Sequence, residues 1–174
     1  MHPDLKAFLL QHEKRIAVET IVHESGHAVA SRYLGEAIDH MVIMAQLPGG
    51  WSQVHRVSPA CPMHECLIAL AGATAHRIFF GTEPSRASWS GDREDFCRRY
   101  KELPEYKPGL GFLRSHYRAL RDRIKEVLSQ PDCQDALTVL AGKLITRMKG
   151  DYASLPGAEV EQLVDPILRN LLSS

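Results

Sequence analysis

The sequence predicts a mainly helical domain with a small β-sheet (α+β), and three observations carry that expectation. A proline-free stretch from Lys14 to Leu34 repeats apolar residues at helical spacing. Beyond Pro62, long helix-patterned segments are divided by prolines and glycines. Only two short runs, between Ile38 and Val57, carry strand character. At 174 residues the chain suits one well-buried core, so residues 1–174 are read as a single domain.

Pro3 and Asp4 suit a first helical turn, and a short helix near Leu5 to Gln11 is expected to lead into the helix over Lys14 to Leu34. Gly35 follows Tyr33-Leu34, where a left-handed cap would end that helix. Ile38 to Gln46 and Trp51 to Val57, separated by Leu47-Pro48-Gly49-Gly50, read as a hairpin and as the only strands. Pro62 opens a helix through Phe80 whose interior, Leu67 to Ala71, is apolar nearly all round and so is expected to be buried; Gly81 closes it. After a loop from Thr82 to Trp89, Ser90-Gly91-Asp92 starts a helix running to about Leu103, which Pro104 stops. Pro104 to Gly109 is a loop. Three more helices follow, near Leu110–Leu128, Pro131–Lys149 and Pro156–Leu172, with Gly150 to Leu155 as a divider.

Composition narrows the function classes. Lys plus Arg and Asp plus Glu both number 21, so the total charge points to neither nucleic acid nor an anionic membrane as the main partner. The run Arg114, Arg118, Arg121, Arg123 and Lys125 is broken by Asp122 and Glu126 and reads as a solvated helix face. Cys61, Cys66, Cys97 and Cys133 form no C-x-x-C pair and are too scattered for a disulfide scaffold, so free thiols in a reducing compartment are expected. The apolar patch Ala7 to Leu10 has charged residues close by and is no signal-peptide core, and no stretch approaches 18 uninterrupted apolar residues. A cytoplasmic protein without a membrane span is expected.

The chemistry concentrates at His23-Glu24-Ser25-Gly26-His27. Helical residues four apart lie on one face with Cβ atoms roughly 5–6 Å apart, so both imidazoles can reach one zinc ion at about 2.0–2.1 Å. Glu24, one step round from His23, is offset from the metal and can act as general base on a water. On the helical wheel the two histidines point away from the sector formed by Ala17, Val18, Ile21, Val22, Ala28 and Val29. A lone histidine is more often structural; a pair at this spacing beside a glutamate favours metal.

Catalytic zinc needs a third protein ligand. His40, His55, His64, Glu65, His76, Asp92, Glu94 and Asp95 are all candidates, and pattern alone does not choose among them. Asp92 has the advantage of a position at a helix start, where it would equally serve as a capping residue.

Thr20 to Val29, containing His23-Glu24-Ser25-Gly26-His27-Ala28, resembles the helix of the FtsH-type zinc peptidases of the M41 family, typically T-x-x-H-E-A-G-H-A. Leu70-Ala71-Gly72-Ala73-Thr74-Ala75-His76-Arg77-Ile78-Phe79-Phe80-Gly81 is similar to the family's L-x-G-R-A-A-E-E-L-x-F-G, and Ser90-Gly91-Asp92-Arg93-Glu94 falls where the family has S-N-D-L-E with its third ligand. Leu140-Ala141 and Leu155 to Val160 resemble later family segments, so the likeness spans most of the chain. The resemblance implies a helical, zincin-like peptidase domain with Zn2+ held by His23, His27 and Asp92 and with Glu24 as catalytic base. It also suggests that the strand region from Gly50 to His55 lines the cleft, where an edge strand could pair with extended substrate.

The departures qualify the expectation. FtsH proteins carry membrane segments and an AAA+ module ahead of the peptidase, whereas this sequence reads as beginning almost directly at the peptidase domain. It contains no G-x-x-x-x-G-K-[ST] loop for ATP. Ala73, Ala75, His76 and Arg77 replace the family's usual residues in the second segment, which puts its oligomer contacts in question. The leading expectation is a zinc endopeptidase acting on unfolded or flexible polypeptides without ATP, with a separate ATPase or a homo-oligomer left open as partners. The alternatives are a metal-binding pseudo-peptidase module and a regulatory protease dedicated to one protein.

Overall fold

The structure, a computed structural model, describes residues 15–44, 52–84 and 90–172. The expected helix near Leu5 to Gln11, the Leu47 to Gly50 turn, the start of the second strand at Trp51 and the end of the Thr82 to Trp89 loop lie outside the described residues. Along the rest of the chain run α1 (Arg15–Tyr33), β1 (Ile38–Met44), β2 (Gln53–Arg56), α2 (Pro62–Phe80), α3 (Ser90–Tyr100), α4 (Leu110–Leu128), α5 (Pro131–Arg147), β3 (Tyr152–Pro156) and α6 (Gly157–Leu172). The fold is mainly helical with a small antiparallel sheet, as the sequence predicts. Gly35 and Gly81 end α1 and α2 at φ 79° and 70°, in the left-handed caps that their positions predict.

The sheet has the order β2-β1-β3, with Met41 opposite Val54 on one side and Leu155 on the other. β3 corrects the expectation that the strands are confined to residues 38–57. Its five residues alternate, Ala153 and Leu155 inward against Tyr152, Ser154 and Pro156, but the run is short and sits between Gly150 and Pro156. Five residues of alternation flanked by turn formers carry too little signal to separate a strand from a loop. Pro156 is tolerated because it closes the strand. α3 also stops at Tyr100, ahead of Leu103, and a turn covers the remainder.

α1 lies at the centre of the fold, packed on α2, α5, β1 and α6. Its apolar side joins the core through Val18, Ile21, Val22, Val29 and Ala30. Its other side is covered as well: His23, Glu24, His27 and Ser31 are all buried. The histidines therefore face away from the apolar sector without facing bulk water, because α2 and α3 close over them. Two small residues permit that approach. A Cβ on Gly26 would lie 2.6 Å from the Ala75 Cβ and 2.8 Å from the Ala71 carbonyl oxygen, so the two helices touch backbone to backbone there. Arg32, near the end of α1, then ties the helix to α6 through a two-pronged bond to Asp165 at 2.9 and 2.7 Å.

Candidate metal centre

The helical i, i+4 spacing brings the Nε2 atoms of His23 and His27 to 3.1 Å from each other. Asp92, in the first turn of α3, brings its carboxylate to both: Oδ2 lies 2.8 Å from His23 Nε2 and 3.3 Å from His27 Nε2. Three donor atoms from two distant segments thus converge, and among the described residues no other group of three or more His, Cys, Asp or Glu side chains does so. Two nitrogens and a carboxylate oxygen form a donor set of catalytic zinc, and ligand atoms at about 2.0–2.1 Å in a tetrahedron stand about 3.3 Å apart. The donors fit the ion.

Gly72 on α2 completes the cradle. A Cβ there would lie 2.4 Å from His27 Nε2 and 2.6 Å from His23 Nε2, in the space that an ion bound to both nitrogens would use. Glycine leaves that space open. The tautomer of His27 is set from behind, since its Nδ1–H donates to the Ile68 carbonyl at 2.7 Å and Nε2 is turned toward Asp92. This is the outer-shell arrangement usual for a ligating imidazole. His23 Nδ1 is buried without a partner among the described residues.

Electrostatics separates the two carboxylates of the site. Burial, opposed by the two imidazoles and assisted by Asp92, raises the Glu24 carboxyl above its ordinary value. Asp92 also loses solvation, but His27 and His23 outweigh that loss and hold its carboxyl well below the usual carboxylate range. Burial works against the His27 imidazolium; the charge and hydrogen bond of Asp92, with Glu24 and the Ile68 carbonyl, prevail and push it up to about 9. Free of metal, the cluster therefore favours a cation at the place where the donors meet.

The other sequence candidates sit elsewhere. His40 stacks on His55 with centroids 4.1 Å apart and bonds Asp39. His64 bonds Glu36, and His76 Nδ1 faces the Thr82 carbonyl. Glu65 accepts from Arg56 and from the Ala60 N–H. Glu94 and Asp95 are exposed on α3. Two parts of the site escaped assignment from sequence: Gly72, which the resemblance contains but to which it gives no role, and the Ile68 carbonyl. The run of small residues from Ala69 to Ala75 was the available signal, since it marks a close helix contact. Comparison with known proteins returns no matching family model and no matching curated protein.

Proposed function

We propose that the protein is a zinc-dependent endopeptidase of the FtsH-type kind that cleaves unfolded or flexible polypeptides without ATP. The observation that carries this reading is the convergence of His23, His27 and Asp92 with Glu24 buried beside them. When bound, zinc supplies Lewis acidity toward a scissile carbonyl and a water molecule. Glu24 accepts the proton from the attacking water and passes it to the leaving amine. The Ile68 carbonyl, bonded to the far ring nitrogen, holds His27 in one orientation throughout. β2, an edge strand of the sheet, offers backbone pairing to an extended substrate.

Glu24 also speaks against a pseudo-peptidase module. A buried carboxylate without a donor costs stability and gives a binding module nothing in return. Cys61, Cys66, Cys97 and Cys133 are free, as suits the reducing cytoplasm that this reading assigns. The test compares zinc-loaded wild type with Glu24→Gln on unfolded casein, with and without ATP. The reading expects hydrolysis by wild type that is indifferent to ATP, and near-complete loss in the variant. Wild-type protein that binds zinc and leaves casein and a whole lysate intact would favour the binding module, and cleavage of one lysate protein alone would favour the dedicated protease.

A further inference from the structure

The balanced total charge hides a local excess. Between Arg98 and Lys125 the chain carries nine Lys or Arg residues against three Asp or Glu. Within that stretch the end of α3 and the start of α4 enclose a groove of about 320 Å³ with an apolar lining that includes Tyr106, Leu110 and Leu113, and with Lys101 and Lys107 also at its wall. Large apolar side chains stand in solvent around it: Leu110 is 73% exposed, Phe112 39% and Tyr106 37%. The Lys107 ammonium lies 5.0 Å from the Phe112 ring centroid.

The neighbouring ion pairs are Arg98 with Asp95, Arg99 with Glu102 and Arg121 with Asp122. Among the described residues none gives a carboxylate partner to Lys101, Lys107, Arg114 or Arg118. Leu110, Arg114 and Arg118 follow one another at four-residue spacing along one side of α4, beside the stripe through which Leu120, Ile124 and Leu128 join the core. Leu110 also opens α4, so the unpaired N–H groups of its first turn add positive potential at the same end.

We propose that this tip docks on an anionic lipid bilayer, with Tyr106, Leu110 and Phe112 entering the boundary between headgroups and acyl chains. Lys101, Lys107, Arg114 and Arg118 neutralise the lipid headgroups around them. A bilayer fits better than an acidic polypeptide because the apolar side chains protrude from a helix tip with the cations set around them, which is the arrangement of interfacial anchoring. Among the described residues no helix is long and apolar enough to cross a membrane. Asp92, at the other end of α3, stands eight residues from Tyr100, about 12 Å along the helix, and stays clear of the lipid. The proposal does not depend on the peptidase reading.

Co-sedimentation of the full chain with phosphatidylcholine vesicles, and with vesicles containing phosphatidylglycerol as well, tests it. Binding is expected to the anionic vesicles only and to fall with added salt. Lys101→Glu with Lys107→Glu should weaken it more than tenfold, since each basic residue near the surface contributes about fivefold. Leu110→Ser with Phe112→Ser should do the same at unchanged circular dichroism. Failure of wild type to bind anionic vesicles, or equal binding by both variants, would overturn the proposal. So would vesicle-free retention of soluble polyglutamate with the same dependence on the two variants, which would assign the tip to an acidic polypeptide.

Discussion

Glu24 and Glu65 are both buried glutamates, at 8% and 7% exposure, yet their surroundings differ in kind. Glu65, near the start of α2, accepts from Arg56 at 2.6 Å and from the Ala60 N–H at 2.9 Å, with Arg99 at 3.9 Å. Glu24 receives no hydrogen bond from a described residue, and burial raises its carboxyl. A carboxylate supplied with donors is part of the scaffold, whereas one left without them at the edge of a donor cluster is set up to take and release a proton. Burial alone does not tell the two apart; their partners do.

The contrast is broken most directly at Glu24. Glu24→Gln keeps the shape and removes the proton acceptor, so peptide hydrolysis should fall by about 10²–10⁴-fold with zinc content unchanged. Its thermal stability should stay level or rise, because an amide is cheaper than a carboxylate to bury without a partner. A variant that keeps wild-type activity would remove Glu24 from the mechanism, and one that unfolds would make it a structural residue like Glu65.

The cradle comes next. Asp92→Ala should weaken zinc binding far more than Glu94→Ala, because the first removes a donor atom of the cluster and the second a solvent-exposed side chain. Gly72→Ala should weaken it at least tenfold, since the added methyl takes the space beside both Nε2 atoms. Calorimetric titration with zinc checks all three. Undiminished affinity in Gly72→Ala would place the ion elsewhere.

How much of this was legible in the sequence depends on range. The two histidines and Glu24 lie within one helical turn, so their spacing alone assigns them to one site. Asp92 lies 69 residues from His23, and only the resemblance singled it out among eight candidates; the packing of α3 onto α2, which brings Asp92 to the histidines of α1, is a tertiary event that local pattern does not encode. The helical wheel set the histidines opposite the apolar sector but could not foresee that Gly26 and Gly72 let α2 close over them. The same reasoning applies to β3, whose pairing with β1 depends on a partner more than a hundred residues away.

The proton balance of the cluster gives a stability signature for the metal-free protein. His27 is raised from 6.5 to about 9, so its contribution is fully present below pH 6.5 and is lost as pH rises through about 9. Asp92, held low, contributes above its unfolded value, and that part disappears only in acid. Denaturant unfolding of the metal-free protein should therefore show stability falling between pH 6.5 and 9, and Asp92→Asn should flatten the fall. Zinc affinity should rise across the same window, because the ion displaces the His27 proton. A pH-independent midpoint would show that His27 does not carry that proton.

The smallest effect falls on the scaffold side of the comparison. Glu65→Gln leaves Arg56 and Arg99 without their common counter-charge, and side-chain exposures of 18% and 28% let water recover part of the loss. A cost of about 1–3 kcal/mol is expected, below the full cost of opening a fully buried pair. Arg99→Ala, which removes the longer contact at 3.9 Å, should cost about 1 kcal/mol or less. Neither substitution touches the cluster, so zinc affinity and activity per folded molecule should stay at wild-type level. Equilibrium unfolding with activity normalised to the folded fraction separates the two quantities. If Glu65→Gln lowered normalised activity as Glu24→Gln does, having donors would no longer distinguish a scaffold carboxylate from a reactive one.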